Sequence, residues 1–316
     1  MTSIEAYNVL TSLLRSGVLG AKPDEGLLAG MSAEGWKEVM NEASRQSVIA
    51  LAFDGLPDNA PGLPVELFFE WASRVKQVEQ GGMRLRAVLD KQKAVWESNG
   101  LHPYVLKGSV CAGFYPIPLH RQSGDIDWCF ERPEEWDKAV EILRGKGIAM
   151  RTDSDGDFSY RVADVVVEHH RKGLHGQSLE ALVCYLVDHV FHHFSTSGIG
   201  LKQFCDLALI MKKGGVDESE LARILDMEGL GKFNVLVKSF IAEDFLGEPV
   251  PAGIARDVEL FRSMVIRDGN FGLDKKRRFS GMAPKAWICL RYAPKAFVSR
   301  WTGLVAGRLG RSRIGK

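Results

Sequence analysis

The chain has 316 residues, 45% hydrophobic and 26% charged, with a formal net charge of +1. This is ordinary for a soluble globular protein, and the chain is long enough to bury a sizeable core without disulfide staples. The small total hides an asymmetry: Lys275 to Lys316 holds twelve Lys and Arg and no Asp or Glu, leaving 29 basic against 40 acidic residues elsewhere, a net of −11.

The first helix is expected over 4–16. It reads as amphipathic and not as a signal peptide, because Glu5 interrupts it and no basic segment precedes it. No run of about eighteen uninterrupted apolar residues is present, which predicts no spanning helix. A second helix is expected over 32–54, with Ser32 as N-cap and Trp36, Val39, Met40, Ala43 and Val48 at helical spacing. LPDNAPGLP (56–64) is a break. A long helix over 64–98 follows, ending at Asn99-Gly100, with Gly81-Gly82 as a candidate kink. Its apolar stripe, Leu67, Phe68, Trp71, Val75 and Val78, reads as core packing.

The middle of the chain changes period. YVLKG is a short strand ending in a turn, 109–115 a helix ended by Pro116 and Pro118, and DIDWCF (125–130) a second strand. Pro133 opens a helix over 133–145, IAMR (148–151) is a strand, and TDSDGD (152–157) a turn. FSYRVA and DVVVEHH form a hairpin across Ala163-Asp164. Helices are then expected over 177–195, 200–213, 217–228 and 231–245. The predicted fold class is α+β. An N-terminal helical region (1–98) precedes an α/β core with a mixed sheet (99–172), a C-terminal helical domain (173–270) and a basic tail (271–316). The five cysteines are odd in number, form no CxxC pair and have apolar neighbours, as expected for buried free thiols in a reducing, cytoplasmic setting.

Alternate residues of a strand share a face, so Asp125 and Asp127 lie side by side. Two adjacent carboxylates in an otherwise apolar strand repel, and the arrangement is costly unless a cation sits between them. Glu168, at the end of VVVE, is a third carboxylate that strand pairing could bring to the same end of the sheet. Three carboxylates suit Mg²⁺, which prefers oxygen ligands and keeps waters that a phosphate can replace. Gly108 and Ser109, after a strand and before a helix, could present amides and a hydroxyl to an anion. Lys107 either neutralises a phosphate or extends from a strand edge, and Arg121 either forks a triphosphate or pairs with Asp125 or Glu131.

The stretch LKGSVCAGFYPIPLHRQSGDIDWCF, followed by VVVEHH and HVFHHF…GIGLKQFCDLALIMKK, resembles the bacterial uncharacterised nucleotidyltransferase family. That family lies within the DNA polymerase β-like nucleotidyltransferase superfamily. The resemblance extends over about 30–265. It implies a nucleotidyltransferase-like sheet core in which Asp125, Asp127 and Glu168 hold two Mg²⁺ ions and carry catalysis. It also implies that Lys107, Gly108, Ser109 and Arg121 bind the NTP (ATP among the candidates), while an acceptor hydroxyl attacks the α-phosphate. The fifteen residues between Ser109 and Asp125, with a Pro-x-Pro among them, form a longer gap than the family's better-known relatives have.

His189, His192 and His193 share one helix face, and with His170 they are expected to border the substrate cleft, to hold a transition metal or simply to pack. Asp206 could orient one of these histidines or serve only as a helix carboxylate. The acceptor is expected to be a small molecule, since the core lacks an aromatic-plus-basic pattern, with an RNA end or a protein side chain left open. The basic tail could contact nucleic acid or, through Phe297, Trp301, Leu304 and Val305, an anionic membrane as a peripheral anchor; it could equally pack on the acidic body. Two rivals to the transferase remain: a non-catalytic nucleotide- or partner-binding module, and a metal-dependent phosphohydrolase.

Overall fold

A computed structural model describes residues 1–152, 156–170, 175–270 and 282–300. Helix α1 (Ser3–Leu19) opens with a capping box in which Thr2 and Glu5 satisfy each other's backbone amides. Helix α2 (Glu25–Leu28) is one turn capped by Asp24. The single helix expected over 32–54 is instead two, α3 (Ala33–Arg45) and α4 (Ile49–Phe53). Between them Ser47 takes a left-handed φ of 58° and the Val48 amide bonds Ala43 O, a reverse turn of the kind that ends helices. The cause is tertiary. Arg45 donates to Arg267 O at 2.9 Å and also to Ile266 O, and Gln46 reaches Val265 O, so this corner caps a distant helix.

Helix α5 (Val65–Ser98) keeps helical hydrogen bonding through Gly81-Gly82. A Cβ on Gly82 would lie 3.2 Å from Leu119 Cδ2, so the glycine admits the Pro118–His120 turn against the helix. α5 also joins two hydrophobic clusters. Trp71 and Val75 pack with helices from both ends of the chain, whereas Leu85, Leu89 and Trp96 pack under the sheet.

Strand β1 (Tyr104–Val105) leads to α6 (Ser109–Ala112), a single turn rather than the helix expected over 109–115. Strand β2 (Asp125–Cys129) and α7 (Pro133–Gly145) follow as expected. Strand β3 (Arg151–Thr152) starts three residues later than the expected 148–151, because its position is set by pairing with β4 (Phe158–Val162). Strand β5 (Val165–His170) completes the hairpin across Ala163. The sheet order is β1-β2-β5-β4-β3, with β2 and β5 parallel and the other pairs antiparallel.

The remaining helices are α8 (Leu179–Thr196), α9 (Lys202–Lys213), α10 (Glu218–Met227), α11 (Gly231–Ile241), α12 (Ala255–Asp268) and α13 (Met282–Tyr292). A π turn, Ala242–Leu246, ends α11. It aims Asp244 inward to accept from the Tyr7 hydroxyl and Arg262. Buried residues of α1, α3 and α4 share one cluster with those of α8 to α13, so the two ends of the chain make a common helical core. Within the basic tail, 282–300 packs on the acidic body through Lys285–Asp268, Arg291–Asp257 and Arg300–Asp188 ion pairs. The KKRRF run and residues 301–316, including Trp301, Leu304 and Val305, lie outside the described residues. All five cysteines are free and buried. No helix among the described residues is long and apolar enough to cross a membrane.

Candidate active site

The parallel register of β2 and β5 sets Asp127 beside Glu168 and Cys129 beside His170. Period two then puts Asp125, Asp127, Glu168 and His170 on one face. Trp128 and His169 go to the other. There His169 is fully buried, with Phe158 at 4.4 Å and Phe130 at 5.1 Å between ring centroids. A hydrogen-bonded chain fixes that face: Trp128 Nε1 donates to Gln92 Oε1, Gln92 Nε2 to the Tyr160 hydroxyl, and the hydroxyl meets His169 Nε2 at 3.0 Å. Burial, with His170 adjacent, holds His169 well below the usual imidazole range, so it is a neutral core residue.

On the open face, ligand atoms of Asp127, Glu168 and His170 all lie within 4.8 Å of one another. Asp127 is 1% exposed, and its Oδ2 is buried with no hydrogen-bond partner among the described residues. Its Oδ1 meets His170 Nε2 at 3.1 Å and the Lys107 ammonium at 3.3 Å. Lys107 also lies 3.7 Å from Asp125 Oδ2, so a lysine stands between the two aspartates. His170 Nδ1 meets Asp157 Oδ2 at 2.9 Å.

The charges follow from these contacts. Burial alone would raise the Asp127 carboxyl, but Lys107 and His170 outweigh it and hold the group low. Burial would lower His170, yet its bonds to Asp127 and Asp157 lift it to about 9, so the ring is a charged donor. Glu168 goes the other way. Burial, Asp127 and Asp125 raise it against the pull of Lys107 and His170.

This face forms part of a cavity of about 810 Å³ whose other lining comes from α8, α9 and the C-terminal segment: Tyr185, Asp188, His189, His193, Lys202 and Arg300 among them. Gly108, at φ 60°, lines the cavity, and Ser109 is not among the lining residues. α6 has only four residues, so little helix dipole aligns behind the Gly108 turn. Arg121 borders the cavity, but its fork is engaged with Asp206, Nε to Oδ1 at 2.8 Å and Nη2 to Oδ2 at 2.6 Å. The Tyr115 hydroxyl donates to the same Asp206 Oδ1 at 2.7 Å. Asp206 therefore orients no histidine, and Arg121 pairs with neither Asp125 nor Glu131. The Tyr-Pro-x-Pro segment and Arg121 together tie the loop before β2 to α9.

His189 and His193 line the cavity as expected, with ring centroids 4.3 Å apart. Burial and Lys107 push His189 well below its usual range, and burial with His192 takes His193 to about 3, so both rings are neutral. Among the described residues the helix histidines do not converge as a three-ligand metal set. Several lining residues are not placed in the site from the sequence, Asp157, Tyr185, Asp188, Lys202 and Arg300 among them. Asp157 sits in a turn whose composition says only "turn". Lys202 lies inside the GIGLKQFCD stretch, which was the one available signal.

An acidic cluster on paired strands faces a helical wall across one cavity. The chain matches the family described as "Uncharacterised nucleotidyltransferase" over residues 32–180 and 165–245. It belongs to that family and is, at this coarse level, a transferase with a nucleotidyl-transfer function. No curated protein and no solved structure matches it.

Proposed function

We propose that the protein catalyses Mg²⁺-dependent transfer of a nucleoside monophosphate from an NTP to an acceptor hydroxyl. The observation that carries this reading is the convergence of Asp127, Glu168 and His170 within 4.8 Å on the face that Asp125 shares. The residues fit a hard divalent ion. The unpartnered Asp127 Oδ2 is a buried acceptor, and the Glu168 carboxyl is raised first by burial and then by Asp127 and Asp125, a repulsion that a cation would relieve. Asp125, Asp127 and Glu168 would hold the metal, two ions being the expected number. His170, charged and hydrogen-bonded on both nitrogens, would orient Asp127 from outside the ligand set. The bound metal neutralises phosphate charge and makes the acceptor hydroxyl easier to deprotonate.

The chain's own residues account for the rest. Glu168, whose carboxyl is raised by burial and by the neighbouring aspartates, takes the proton from the acceptor oxygen. Gly108, without a side chain, lets a phosphate approach the backbone beside Lys107. The Tyr115–Asp206–Arg121 network holds the loop that leads into Asp125, which is positioning rather than contact with substrate. A cavity of about 810 Å³ falls in the usual range for small-molecule sites, and this favours a small-molecule acceptor.

The test is incubation with each α-labelled NTP, Mg²⁺ and a panel of hydroxyl acceptors. Pyrophosphate release with label moving to an acceptor is expected, and Asp125→Asn with Asp127→Asn should abolish both. Release of inorganic phosphate would make the protein a phosphohydrolase, and binding without turnover would make it a sensing module.

A further inference from the structure

Four fixed or near-fixed cations border the cavity: Lys107, Arg121, Lys202 and Arg300. Two of them are already committed. Lys107 is shared between Asp125 and Asp127, and both edges of the Arg121 fork go to Asp206 and Ser123. A phosphorylated substrate would have to displace a buried carboxylate to engage either one, and breaking a buried pair is costly.

The other two differ. Lys202 is the first residue of α9 and has no hydrogen bond or ion pair among the described residues. Burial and the nearby Arg121 bring its ammonium down to about 8, against the opposing pull of Asp206 and Asp125. Arg300 pairs through Nη2 with Asp188 and lies 5.1 Å from the Phe191 ring centroid. Its Nη1 is buried and has no hydrogen-bond partner among the described residues. A buried donor left unmade is unfavourable unless something arrives to accept from it. The neutral rings of His189 and His193 line the same cavity and can hydrogen-bond, but they bring no charge.

We infer that Lys202 and Arg300 are the phosphate-binding pair of this cavity, receiving the oxyanions of a phosphorylated substrate on its helical wall. Lys202 supplies a compact point charge and Arg300 a directional donor held in place by Asp188 and Phe191. Lys202 lies within the stretch matched to the family and Arg300 lies beyond it, so half of the pair is contributed by a segment outside that match. The phosphates are either the β and γ groups of the donor or a phosphate on the acceptor. The first source rests on the proposed function, while the pair itself does not.

The experiment measures equilibrium binding to the full chain in two arms. One uses a non-cleavable NTP analogue with Mg²⁺; the other uses inorganic phosphate added to analogue-saturated protein. Lys202→Gln and Arg300→Gln are each expected to weaken one arm about tenfold or more, with Lys202→Arg and Arg300→Lys recovering part of the loss. Weakening of the analogue arm assigns the donor phosphates, and weakening of the phosphate arm alone assigns the acceptor. Binding of the unphosphorylated nucleoside separates phosphate contact from packing, since it offers no oxyanion to Lys202 or Arg300. If Arg300→Gln lowers the melting temperature and weakens nucleoside binding as much as analogue or phosphate binding, Arg300 only latches α8 and the inference falls. Unchanged binding in both arms for the two glutamine variants overturns it as well. If wild-type protein binds no NTP analogue but the free protein binds inorganic phosphate in a way that depends on both Lys202 and Arg300, the nucleotidyl-transfer reading fails and the pair stands. Wild-type protein that binds neither ligand overturns both.

Discussion

Replacing Arg121 by Met would leave the Asp206 carboxylate buried, with only the Tyr115 hydroxyl to answer it. The Arg121 and Asp206 side chains are 4% and 0% exposed, so water cannot substitute for the missing partner. Removing one member of such a pair costs about 3–5 kcal/mol, because an uncompensated charge stays in the interior. Asp206→Leu should fall in the same range. Tyr115→Phe, which deletes one hydrogen bond to a charged group, should cost about 1.5–3 kcal/mol. The double variant Arg121→Met with Asp206→Leu removes both charges and should cost much less than the sum of the single changes. Urea unfolding followed by tryptophan fluorescence measures all four. A loss below about 1 kcal/mol for Arg121→Met would refute the reasoning, as would strict additivity in the double variant, because both outcomes mean the pair is solvated in the working protein.

Two further outcomes follow from the site and from the loop beside it. Mn²⁺ or Mg²⁺ should raise the melting temperature of wild-type protein, by the equivalent of about 2.7 kcal/mol at a hundred times Kd, and Glu168→Gln should remove most of that shift; an equal shift in both proteins would place the metal elsewhere. His120 is raised above its usual range by its bond to Asp54, against burial and with help from Glu79. Its contribution to stability is therefore fully present below the unfolded pKa of about 6.5, while both carboxylates stay ionised, and it fades as pH rises through the folded value. His120→Gln should lower the urea midpoint more at pH 6 than at pH 9, and a pH-independent loss would show that the ring acts only by packing.

What the sequence made legible was local or periodic. The order of strands and helices from Tyr104 to His170, the shared face of Asp125 and Asp127, and Glu168 as their neighbour all follow from period two and turn chemistry. The pieces it hid depend on distant partners. Nothing near Ser47 announces a helix break, because the cause is Arg45 and Gln46 capping α12 some 220 residues away. β3 is expected three residues too early, at 148–151, since a two-residue edge strand exists only through its pairing with β4. Lys107 reads equally well as a phosphate ligand or an edge lysine until the fold shows it between two aspartates. Arg300 carried no signal beyond its membership of a basic tail, and only packing brings it into the cavity wall.

His169 and His170 are neighbours in sequence with separate duties, one enclosed by aromatic rings and one bonded to Asp127. A slip of β5 by one residue against β2 would exchange them. It would bring an imidazolium into an apolar interior and empty the carboxylate face of its donor. The same six residues thus carry the stability of the sheet and the chemistry of the cavity, phase-locked to each other. Variation at this site is therefore confined to swapping side chains at fixed positions. An insertion or deletion within β5 should abolish folding before it alters specificity.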